Sequence, residues 1–267
     1  MHRETVEDAA FRAGYLAIMA FMLLPLVVVV VTSFAESGNL VFPPERYSLV
    51  HYRAFLEETR WLSAFDNSLL VGVGTTVVAT ALGVTAAFGH ELDDGRTGQV
   101  LAPLVLVPLL IPPIVLGISM RVYFVRTGLE ASYLSIILAH TLWATPLVYF
   151  VMRSVFSRYD WQLLDAATDL GAGPIQSFVY AVLPNVKHGI FVGALLAFIV
   201  SLQEFVMALF LSSHSTETIP VVAWTTLRQS LDPMVSVVST FLILISLLAI
   251  VVAAIATNLN WLSKQLS

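Results

Sequence analysis

The sequence predicts an all-α, polytopic membrane protein with six transmembrane helices. Three observations carry that expectation. Of 267 residues, 58% are hydrophobic and only 12% are charged, where a hydrated surface needs about 25%. The mean hydropathy is +0.85. The apolar residues also fall in six long runs separated by polar stretches. A bilayer core takes about 20 apolar residues in a helix, and hydrocarbon offers backbone groups no water, so such runs must be helical.

The runs cover residues 13–34, 68–88, 100–123, 133–152, 188–211 and 235–258. The first ends at Ser33-Phe34-Ala35, which would serve as the cleavage site of a secretory leader. However, Glu4, Glu7 and Asp8 make its start acidic and the apolar stretch outruns a leader's core, so it is expected as a retained helix. In the second run Gly72, Thr76, Ala79, Gly83 and Ala87 form a small-residue stripe at helical spacing, the pattern that lets helix backbones approach in a membrane. In the third, Pro108, Pro112 and Pro113 each remove a backbone donor. They either line a cavity or bend a buried helix to fit its neighbours. Trp61, Trp161, Trp224 and Trp261 stand outside the runs or at their edges, as interfacial tryptophans do.

The connections narrow the function. The longest, residues 35–67 and 153–187, are roughly 35 residues each, too short to bury a core of their own. Lys187 and Lys264 are the only lysines and neither follows a glycine-rich turn, so the chain carries no nucleotide-binding P-loop. A net charge of -5 gives no basic stripe for nucleic acid, and the absence of cysteine removes disulfides, thiolate nucleophiles and Cys-rich zinc sites. His2, His51, His90, His140, His188 and His214 show no ligand spacing, so no metal site is expected. With both termini on one side, Arg3, Arg12, Arg96, Arg153, Arg158, Lys187 and Lys264 face Arg46, Arg53, Arg60, Arg121, Arg126 and Arg228 across the membrane. That split sets no firm direction, although both lysines fall on the terminal side.

Residues 158–184 have a logic of their own. Asp160 suits a helix N-cap, and Leu163, Ala166, Ala167 and Leu170 recur on one helical face before Gly171 stops the helix. Pro174 suits the first turn of a second short helix, with Phe178 and Val182 on one side and Pro184 as its end. Two short amphipathic helices joined by a glycine bend need a surface to lie on. It is either lipid headgroups or a groove in another protein, which Ala166 and Ala167 would keep the helix thin enough to enter.

Asp165-Ala166-Ala167, three residues, Gly171, and then Leu183-Pro184 resemble the EAA loop of ABC importer permeases in spacing at every position. Asp165 stands where that family has Glu, and Ala181 where it has Ile. The resemblance implies a type I importer permease architecture in a bacterial plasma (inner) membrane, multi-pass, with cytoplasmic termini. It further implies that Asp165, Ala166, Ala167, Gly171, Leu183 and Pro184 contact an ATP-binding subunit, present as a homodimer. ATP and Mg would be held by that partner, with no cofactor and no catalytic residue in this chain. A second permease subunit, completing a heterodimer, and an extracytoplasmic solute-binding protein are the other implied partners. The latter would meet residues 35–67 and 212–235. Phe42-Pro43-Pro44, Tyr47-Ser48-Leu49, Tyr52 and Asn67-Ser68-Leu69 are similar to the outer loop and second-helix entry of such permeases, and residues 201–211 followed by Ile219-Pro220 and Asp232-Pro233 most resemble the second permease of spermidine/putrescine-type importers. A polyamine-like solute is therefore expected, with aminophosphonates, amino acid derivatives or sugars as the alternatives.

Glu204 is the only acid inside a run. A carboxylate in lipid is costly unless it faces water, a cavity or a partner. It therefore either lines the translocation pathway with Gln203 and Ser201, or pairs structurally with an arginine such as Arg121. A stand-alone channel or secondary transporter would not need the 158–184 spacing. A membrane-embedded enzyme would need intramembrane catalytic pairs, which a lone Glu204 does not supply.

Overall fold

A computed structural model describes the backbone at residues 2–92 and 96–266 and the side chains at 8–92 and 102–255. Trp261, Lys264 and the charges at Arg3 and Arg96 lie outside the described side chains. The described residues are helical, with one isolated antiparallel bridge among them, between Ala35 and Tyr47. The helices are α1 (His2–Thr32), α2 (Val50–Glu57), α3 (Thr59–Leu92), α4 (Arg96–Leu110), α5 (Pro113–Thr127), α6 (Tyr133–Phe156), α7 (Gln162–Asp169), α8 (Pro174–Ser177), α9 (Leu183–Gln203), α10 (Val206–Leu211), α11 (Ile219–Leu227) and α12 (Met234–Leu266). Among the described residues, five helical stretches are long and apolar enough to cross a bilayer, and six if the pair α4 and α5 makes one crossing.

Two expected single helices are broken. The run 100–123 bends by 100° between α4 and α5. Pro112 and Pro113 cause it: neither has an N–H to continue the ladder, and Pro113 starts the new helix where a missing donor costs nothing. The run 188–211 is interrupted at Glu204 and Phe205, where Glu204 turns extended (φ -70°, ψ 119°) and α10 begins afresh. The fifth span also starts earlier than its hydropathy suggested. Pro184 does not end the short helix of 174–184; a π-helical turn, Phe178–Val182, carries it into α9 and absorbs the missing donor.

The chain divides into two compact units. The first comprises residues 1–62 and 223–244. Here the described part of α1 is exposed from Asp8 to Val27, a face for lipid or another chain. Its end is fastened by Thr32 Oγ1 donating to Ser236 Oγ (3.0 Å) and by Ser33 Oγ against Tyr52 Oη (2.7 Å). Tyr52 meets Phe241 edge-on and Phe55 packs on it at a tilt, at 5.8 and 5.1 Å between ring centres. Trp61, expected at an interface with water, is buried.

The second unit comprises 63–222 and 245–267 and holds the helices of greatest functional interest. Lipid is as apolar as leucine, so close backbone approach rather than water exclusion holds such helices together. The stripe on α3 does this. A Cβ on Gly83 would lie 2.7 Å from Val148 Cβ of α6, and Ala79 and Ala87 are fully buried. On α9, Gly189 and Gly193 admit Val155 and Val148 in the same way. Met152 and Phe156 of α6, with Val182 and Val186, complete the core at the end that carries residues 158–184.

Candidate functional site

The 158–184 segment is two short helices on an aromatic base. Asp160 Oδ1 accepts from Gln162 N (3.1 Å), the first amide of α7, but Asp160 stands one residue ahead of the expected cap position, which Trp161 occupies without a side-chain bond. Asp160 also lies beside Tyr159, whose phenol is pushed up from its usual pKa by burial and by that charge. At the other end Gly171 adopts φ +86°. Ala172 N reaches Ala167 O (3.1 Å) and Gly171 N reaches Thr168 O (2.9 Å), the paired bonds of a left-handed helix stop. Gln176 Oε1 accepts from Gly173 N (3.2 Å) to start α8. The Ala181 carbonyl at the π turn takes Tyr159 Oη (3.2 Å) and Asn185 Nδ2 (2.8 Å).

The base of the segment is fixed and its rim is exposed. Trp161 meets Phe88, Phe156 and Tyr159 at centroid distances of 6.2, 5.9 and 5.1 Å, and Leu164 and Ser177 are buried. Around the bend, Leu170 is 90% exposed, Ile175 80% and Tyr180 79%. Asp165, Ala166, Gly171 and Pro184 share that exposure, while Ala167 and Leu183 are half-buried. The register differs from the expected apolar face in one respect: Leu164, not Leu163, points into the protein, leaving Leu163 outward with Ala166 and Leu170. At the same end, Arg153 of α6 pairs with Glu91 of α3, and His90 Nδ1 contacts Tyr149 Oη at 2.9 Å.

A second polar site lies at the break in the fifth span. Glu204 Oε1 accepts from Met207 N (3.0 Å) and Oε2 from Ala208 N (3.1 Å), so the carboxylate caps α10. Its side chain is 9% exposed, and its ionic neighbour is His140 of α6, with Nε2 3.2 Å from Oε2. That contact is short but poorly aligned as a hydrogen bond. Arg121, the partner suggested from sequence, is engaged elsewhere: its Nη1 donates to Phe210 O (3.1 Å). Ser201 Oγ contacts His140 Nδ1 (2.8 Å), whereas Gln203 is exposed and only approaches Ser246 Oγ, at 3.5 Å. Ser201 and Glu204 are therefore brought together through His140, and Gln203 is not. Sequence reasoning missed His140 because nothing local marks it; its partners lie a helix away. Among the described residues no three of His, Asp and Glu cluster as metal ligands.

A polytopic helical chain with broken spans and an exposed, rigidly based helix pair at one end has the make-up of a transporter's membrane subunit. Residues 79–260 match the family model described as binding-protein-dependent transport system inner membrane component. The chain belongs to that family, the permeases of ABC importers. It is 25% identical over 241 residues to the spermidine/putrescine transport system permease protein PotC of Escherichia coli K12, covering 90% of this chain and 91% of the other. It is 29% identical over 234 residues to the putrescine transport system permease protein PotI of the same strain, covering 84% and 82%. The fold is shared with a chain in the crystal structure of a bacterial ABC transporter that imports the acidic polysaccharide alginate. There the TM-score is 0.71 at 16% identity, over 96% of this chain and 97% of that one.

Proposed function

We propose that this chain is one of two different membrane subunits of an importer that takes a polyamine-class cation from an extracytoplasmic binding protein into the cytoplasm. A homodimeric ATP-binding subunit would supply the power, holding ATP and Mg. The observation that carries the coupling role is the exposed rim of Leu170, Ile175 and Tyr180 around the Gly171 bend. Apolar side chains so exposed on a rigid base gain most by entering a groove, and Asp165, Ala166 and Gly171 lie beside them. Counting α4 and α5 as one crossing, the segment lies on the same side as both termini, and contact with an ATPase makes that side cytoplasmic.

The mechanism follows from linkage. ATP binding in the partner favours one arrangement of the two permeases only if this segment contacts the ATPase differently in the two arrangements. A short, rigid lever transmits such a difference better than a flexible loop, and the aromatic base under Trp161 makes it one. The polyamine assignment rests on the solutes that the two relatives transport. Its test is the ligand of the cognate binding protein, and uptake of labelled spermidine and putrescine by cells carrying the whole transporter. The expected result is saturable, ATP-dependent polyamine uptake. A binding protein that retains an anion or a sugar and ignores polyamines would overturn the assignment.

A further inference from the structure

The helix α10 has six residues, too few to hold itself together in isolation, so its position is set by what ties it down. Its last turn is tied by Arg121 Nη1 on the Phe210 carbonyl, which the helix leaves without a partner. Its flank lies against α5 at Gly117, where a Cβ would stand 3.3 Å from Met207 Cα and 3.0 Å from Phe210 Cδ2. The turn that follows is held by Asn67 Nδ2, which donates to Ser215 O (3.0 Å) and Glu217 O (2.9 Å). Its first turn depends on Glu204, both of whose oxygens are engaged by the Met207 and Ala208 amides.

Glu204 in turn depends on α6. His140 is 1% exposed and stands between Ser201 Oγ at Nδ1 and the Glu204 carboxylate at Nε2. If the serine hydroxyl donates to Nδ1, the ring's remaining N–H is the one on Nε2, 3.2 Å from the Glu204 carboxylate though off the line of a hydrogen bond. We propose that Ser201, His140 and Glu204 form a latch between α6 and the break after α9. It fixes α10 in its present place. His140 is then a positioning residue: it touches no solute and acts through Glu204. This assignment gives Glu204 a mechanical role in place of the solute-binding one that its sequence position allowed.

The native chain has no cysteine, so a single thiol reports without background. In intact cells carrying the complete transporter, Met207→Cys places a thiol on the buried face of α10, and Glu130→Cys places one on an exposed loop as a control. Labelling with a charged, membrane-impermeant thiol reagent is expected to accelerate about tenfold at Met207→Cys when His140→Leu is added, the shift that loss of one buried tether gives. His140→Gln, which retains a donor toward Glu204, is expected to stay near the native rate. The control should not change in either background. Native-rate labelling in His140→Leu, equal acceleration in the Leu and Gln variants, or acceleration at the control would each overturn the latch. Labelling needs no uptake, so a wrong solute or a failed coupling assignment would leave this test standing.

Discussion

Gly171 offers the sharpest perturbation of the coupling segment. Its φ of +86° is the left-handed conformation, and an added Cβ would meet nothing within 4 Å. The cost of substitution is therefore backbone strain alone, with no steric part. A residue with a Cβ pays about 1–2 kcal/mol there, which lowers the population of the bent form by about 5- to 30-fold relative to its alternatives. When only the bent form can dock, the apparent affinity for the partner falls in proportion to its population. Asparagine tolerates this region, alanine less so and β-branched valine least. The series Gly171→Asn, Gly171→Ala and Gly171→Val should therefore lose the ATP-binding subunit progressively. The assay is the amount of ATPase that co-purifies with a tagged permease, read beside ATP-driven uptake and normalised to permease in the membrane. A Gly171→Val variant that keeps its full complement of ATPase, or a series without order, would refute the reasoning.

Two further substitutions test the packing that supports the sites. Gly83→Ala should destabilise the purified subunit by about 1–3 kcal/mol through overpacking, because its Cβ would meet Val148 at 2.7 Å and the Thr145 carbonyl at 3.1 Å. Gly89→Ala, on the same helix with nothing within 4 Å, should be neutral or better; equal thermal midpoints for the two would contradict the fit of α3 on α6. Asn67→Ala removes the donor to two carbonyls and should cost about 1–3 kcal/mol. Asn67→Asp should be worse than alanine, since it sets a carboxylate against the Ser215 and Glu217 carbonyls. Thermal unfolding that ranks aspartate above alanine would show that the turn after α10 is held by something else.

The parts that sequence reveals are those whose cause is local. The stop of α7 is encoded within a few residues by Gly171, which does what its position suggests, while Asp160 bonds the first amide of α7 from one residue ahead of its cap, Trp161. The small-residue stripe on α3 likewise states its own packing face. Hydropathy could not show the break at Glu204, because residues 188–211 remain apolar on both sides of it. The interruption is made by a carboxylate that caps α10 and by a histidine on another helix. Pro184 misled for a related reason. A proline's missing donor normally ends a helix, but a π turn ahead of it removes the conflict, and such a turn depends on partners such as Tyr159 that are distant in sequence. At Pro112 and Pro113 a break was legible and its 100° angle was not, since the angle is set by what α5 packs against.

The central claim is that an ATP-hydrolysing partner grips this chain at the bend between α7 and α8. A photo-activated cross-linker placed at Leu170, which is 90% exposed at that bend, tests it directly in membranes carrying the assembled transporter. The account predicts an adduct with the ATP-binding subunit whose yield changes when ATP is added, and none from the same probe at Leu110, 82% exposed within a membrane span. Equal yields from the two positions, or a Leu170 probe that reacts only with lipid, would contradict it.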